Sequence, residues 1–152
     1  MPQPEAFLGL MNNALNGMVQ IVEELGDDRV NQRPDFAESN SPYAILAHCV
    51  GLTHYWIGRV CGGRPYERDR DGEFNASGTV ADIRQAVRDL QAQLQEDIKR
   101  VRYDQPAVGK LAPRHDDLHD FNQGDFMLRC FKELAQHHGH MELTRDILQR
   151  PA

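Results

Sequence analysis

The sequence of 152 residues contains only three cysteines, one tryptophan and no long apolar run. Cys49, Cys61 and Cys130 are odd in number and form no C-x-x-C pair. That speaks against a disulfide framework and for free thiols in a reducing, cytoplasmic setting. No stretch approaches the roughly 18 to 20 apolar residues of a membrane span. The N-terminus, MPQPEAFLGL, lacks the basic start and continuous apolar core of a signal peptide. A basic excess is missing too. The 17 Lys and Arg against 23 Asp and Glu leave a net charge of −6, which argues against nucleic-acid binding. There is no internal repeat, no low-complexity tract and no strand-like alternation. What remains is 40% hydrophobic and 26% charged, the balance of an ordinary globular chain, with a length suited to one domain over residues 1–152.

The apolar residues recur at helical spacing. Phe7, Met11, Ala14, Met18, Ile21, Val22 and Leu25 predict a first amphipathic helix from about Pro4, with Gly26 placed for a left-handed cap. Ser41 and Pro42 form a strong helix start. The second helix is predicted to run to about Cys61 on a stripe of Ile45, Cys49, Leu52, Trp56 and Val60, and to stop at Gly62-Gly63. Thr79 and Asp82 resemble a capping box opening a third helix, through Ile83, Val87, Leu90, Leu94 and Ile98, that reads as scaffold. A fourth begins near Gly124 or Asp125, carries Met127, Cys130, Leu134, Met141 and Leu148, and ends before Pro151. Four amphipathic helices without strands give an all-α four-helix bundle.

Two long connections remain. Tyr66 to Gly78 is polar and long for a link between helices, so it is expected to pack over a bundle end or edge a pocket. Its charges read chiefly as solvated surface, with Arg64, Arg68 or Arg70 as possible ligand contacts. Tyr103 to Asn122 holds His115 and His119, four apart, but no apolar stripe to stabilise a helix.

The fourth helix carries Glu133-Leu134-Ala135-Gln136-His137-His138-Gly139-His140. Residues four apart share a helix face, so Glu133 and His137 point the same way, His140 falls close to Glu133 in azimuth, and His138 points away. An isolated E-x-x-x-H is ordinarily a solvated polar face. Here the pair lies along a flank of the apolar stripe, towards a neighbouring helix. His48 sits beside the stripe of the second helix, as a core histidine or a ligand. Together His48, Glu133 and His137 would offer two imidazoles and a carboxylate, which suits Zn²⁺, Ni²⁺, Fe²⁺ or Co²⁺ and leaves open positions. The first and third helices lack the further glutamates of a di-iron centre. Cys49 and Trp56 read as packing. Gly139 costs about 1 kcal/mol against Ala within a helix, which suggests a close approach there.

NSPYAILAHCVGLTHYW, then DRDGEFNASG, then CFKELAQHHGHMELTRDIL resemble the DinB-like superfamily. The branch includes mycothiol-dependent maleylpyruvate isomerase and the mycothiol and bacillithiol transferases. The resemblance runs from about Asp27 to Leu148. It implies an up-down-down-up bundle, often dimeric, and a divalent metal held by His48, Glu133 and His137. Gln136 stands where the family often has arginine, and the isomerase's further C-terminal domain is missing. The implied activity is transfer of a low-molecular-weight thiol, mycothiol or bacillithiol, to an electrophile, with His140 as a hydrogen-bond partner to the ligands or an acid/base. The alternatives are a non-catalytic metal-binding stress-response protein and a metal-dependent hydrolase.

Overall fold

The computed structural model describes residues 3–151. Four long helices form the bundle: α1 (Pro4–Arg29), α2 (Pro42–Thr53, continued as a π-helix over His54–Cys61), α4 (Val80–Ile98) and α5 (Gln123–Leu148). The one-turn helix α3 (Arg70–Phe74) and a 3₁₀ segment (Pro113–Leu118) lie in the two long connections. Among the described residues there is no strand, only an isolated bridge between Pro106 and Asn122.

Side-chain pairings fix the direction of each helix. Gly17 faces His138 and Glu24 meets Arg145 at 3.6 Å, so α1 and α5 run parallel. Asn16 meets Gln91 while Asp27 accepts from the Val80 N–H, so α1 and α4 are antiparallel. Thr53 lies by Cys130 and Cys61 by Gln123, which makes α2 antiparallel to α5. The order is therefore up-down-down-up, with α4 and α5 on opposite sides of the α1–α2 pair.

The helix ends follow local chemistry. Ser41 Oγ accepts from the Ala44 N–H, and Thr79 with Asp82 forms a complete capping box. Asn122 with Asp125 forms another, which starts α5 slightly ahead of the sequence expectation. Gly26 takes φ +67°, breaking α1, and a final turn carries on to Arg29.

The second helix differs from its predicted single stripe. Ala44, Ile45, Leu46, Cys49, Tyr55, Trp56, Ile57, Val60 and Cys61 are all buried, because α2 touches every other helix of the bundle. Its second half is π-helical. The change begins at Thr53, whose hydroxyl donates to the Cys49 carbonyl and competes with the regular ladder. Beyond it the Gly62 N–H bonds back five residues to Ile57.

Replacing Asn122 by Ala removes the α5 cap. It should lower stability by about 1 kcal/mol, read as a lower urea midpoint at unchanged slope; an unchanged midpoint would contradict this account of the helix start.

Candidate metal centre

α2 and α5 cross with His48, Glu133 and His137 facing one another. One donor atom from each lies within 4.8 Å of the others. His48 is buried, while Glu133 and His137 are half-buried at the edge of a cavity of about 220 Å³. The His48 and His137 rings meet edge-on, with centroids 4.8 Å apart.

The connection after α2 supplies the element that orients His48. Asp69 caps α3 by accepting from the Gly72 N–H, which turns Glu73 inward and lays the Phe74 ring on His48 at 4.5 Å. The Glu73 carboxylate is almost fully buried and lies 3.0 Å from His48 Nδ1. Arg68 closes the bridge from outside, donating from Nε and a terminal nitrogen to the two Glu73 oxygens at 2.9 and 2.8 Å. An ionised carboxylate only accepts, so His48 Nδ1 carries the proton and Nε2 keeps its lone pair for a ligand. Burial alone would raise the Glu73 pKa. The hydrogen bonds from His48 and Arg68, with the Arg68 charge, outweigh burial and hold it below the ordinary value. Gly51 makes this approach possible, because a Cβ there would collide with the Glu73 carboxylate.

Trp56, Arg70, His115 and Arg129 complete the cavity wall. The Ala112 N–H donates to the Tyr55 oxygen at 2.8 Å, which leaves the Tyr55 hydroxyl proton for His115 Nδ1 at 3.2 Å. His115 then presents Nε2–H. Burial, with Arg114, Arg129 and Arg68 nearby, lowers its pKa to about 4. Burial first, then His48 and His140, lowers His137 to about 4, so it stays a neutral imidazole at physiological pH.

Other sequence-predicted residues have different fates. His140 is exposed on α5, its ring centroid 5.9 Å from that of His137. His115 and His119 do not converge, since His119 is exposed and bonds the Asp116 carbonyl. Gly139 faces open space, and nothing in the structure accounts for it. The close approach lies one residue earlier. His138, which reads as a bystander in sequence, packs on Gly17 of α1 and lies 3.6 Å from Glu142. Trp56 is both core and cavity wall. Glu73, Arg129 and the buried Asp97, which pairs with Arg64 at 2.9 Å, escaped sequence reasoning. Their one signal was a lone acid or base within a polar run or face.

The donor set suits a resident divalent cation of the nitrogen- and oxygen-loving kind: two imidazoles, one with its second nitrogen fixed, and a carboxylate. Up-down-down-up topology and this convergence of α2 with α5 define a DinB-like four-helix bundle. The sequence model of the mycothiol-S-transferase family matches residues 6–150, and the chain belongs to that family. No curated protein and no solved structure matches it.

Two outcomes follow from this geometry. Gly51→Ala should push Glu73 off His48 and abolish the hydrogen-bonded Nδ1–H signal of that ring in proton NMR; its survival would contradict the bridge. Metal-free protein should lose stability as pH falls from 7 to 5. His115 and His137 bind protons near 6.5 when unfolded but only near 4 when folded, so in this window the unfolded chain holds more protons. Urea midpoints that stay level or rise between pH 7 and 5 would contradict the buried neutral histidines.

Proposed function

We propose that the protein is a divalent-metal-dependent mycothiol S-transferase whose metal ligands are His48, Glu133 and His137. The observation that carries this reading is the convergence of those three donors within 4.8 Å in a chain of this family. A divalent cation bound there would supply an open position and a lowered thiol pKa, hence a thiolate nucleophile at neutral pH. His48, fixed through Nδ1 by Glu73, offers Nε2. Glu133 and His137 close the other side from successive turns of α5. In an addition, the thiol sulfur bonds to an electrophilic carbon, a carbon–carbon π bond opens, and the neighbouring carbon takes up the proton the thiol gave. His140, at the edge of the site, is assigned the relay of that proton with solvent.

The resemblance implies a homodimer, which sedimentation can test. Three buried free thiols suit a reducing, cytoplasmic setting. No helix among the described residues is long and apolar enough to cross a membrane.

His137→Ala should bind no stoichiometric metal, measured by elemental analysis after desalting. The wild type should consume an electrophile only with mycothiol and metal both present. Full metal occupancy in the variant would contradict the ligand assignment. Turnover without thiol would point to hydrolysis, and metal binding with no turnover for any thiol to a non-catalytic protein.

A further inference from the structure

The charge of the cavity is opposite to that of the chain. The sequence carries a net −6, yet Arg68, Arg70 and Arg129 line the cavity against the single carboxylate of Glu133. Arg68 is engaged by Glu73 on two nitrogens. The other two are not matched in this way. Arg70 lies over the Phe74 ring, its guanidinium carbon 5.3 Å from the centroid, with no carboxylate in ion-pair range among the described residues. Arg129 lies over Trp56 at 5.3 Å and reaches Glu133 only at 3.8 Å, too long for a hydrogen bond. Its Nε is buried with no hydrogen-bond partner. A buried N–H without an acceptor is costly, and a guanidinium edge is shaped for a two-oxygen acceptor. Arg68 and Tyr55 also wall a neighbouring groove, where Arg59, Lys110 and Arg114 face only Glu67, itself fully exposed. The positive field therefore extends outward from the cavity mouth and would draw an anion inward.

We propose that the electrophile used at this site is a small organic carboxylate, its anion held by Arg129 and Arg70 and its reactive carbon turned to the His48, Glu133 and His137 corner. The proposal rests on the reading of the site as a thiol-transfer centre. The carbon skeleton would lie in the cavity of about 220 Å³, beside the edges of Trp56 and Phe74, whose rings carry the two guanidinium groups. His115 Nε2–H is a neutral donor on the same wall. The carboxylate belongs to the electrophile rather than to the thiol, and the test varies only the electrophile.

Mycothiol and metal are held constant, and two N-substituted maleimides are compared, one ending in a carboxylate and the other in its methyl ester. The reaction is one addition in both: sulfur bonds to a ring alkene carbon, the π bond opens, and the adjacent carbon takes the thiol proton, with no leaving group and no oxidant. The shared ring matches their intrinsic reactivity. The ratio of kcat/KM, acid over ester, should be about tenfold or more, the worth of one charge-assisted hydrogen bond. Arg129→Gln and Arg70→Gln should each bring it towards one. This ratio, unlike a rate, is not moved by partial loss of fold or metal. A wild-type ratio of one, or a ratio that survives both substitutions, overturns the proposal.

Calorimetry with the saturated succinimide acid and its ester supplies a readout that needs no turnover. Should neither maleimide be consumed, tighter binding of the acid, lost in the arginine variants, supports the anion site while the transfer reading fails. Equal binding of acid and ester in that case overturns both. Turnover with a ratio of one leaves thiol transfer standing and removes the anion site.

Discussion

The site depends on one buried carboxylate. Glu73 reaches from the connection after α2 into the bundle, where it accepts from His48 on one side and Arg68 on the other. An ionised group at that depth is costly unless its lone pairs are taken, and here both oxygens are taken. The bridge ties α3 to α2, selects the tautomer of His48 and brings Phe74 over the imidazole. Gly51 is the position on α2 that admits the carboxylate. The loop that edges the cavity is thereby locked to the helix that supplies the first donor.

The bundle supplies the rest through direction. α2 and α5 run antiparallel, so the middle of one faces the middle of the other, and residues one turn apart on α5 can address a single residue on α2. Glu133 and His137 do this for His48. The π-helical continuation of α2 then carries Trp56 onto the cavity wall, where Arg129 covers it.

Much of this was legible in the sequence because helices announce themselves by period. The four stripes and the Ser41 and Thr79 caps follow from spacing alone, and so does the shared face of Glu133 and His137. His48 was legible as a candidate because it flanks the stripe of its helix. Glu73 was not. It lies among Arg68, Asp69, Arg70 and Asp71, in a run that reads as solvated, and only the turn made by the Asp69 cap directs it inward. Arg129 was hidden for a different reason: it lies beside the α5 stripe, and only the Trp56 ring on α2 draws it over the cavity. Asp97 reads as part of a polar outer face, yet Arg64, arriving from the end of α2, makes its burial tolerable. The change from α to π geometry was not legible because Tyr55, Trp56, Ile57, Gly58, Val60 and Cys61 are all buried, so no single stripe reports the turn there.

The account stands or falls on what enters the corner between α2 and α5. X-ray absorption of the zinc-loaded protein, before and after adding mycothiol, tests it most directly. Before thiol, the shell should hold only light atoms at roughly 2.0–2.2 Å, with the outer scattering of two imidazoles. After thiol, one sulfur should appear at roughly 2.3 Å with both imidazoles retained. A shell without imidazole, or one that admits no sulfur from mycothiol, would contradict it.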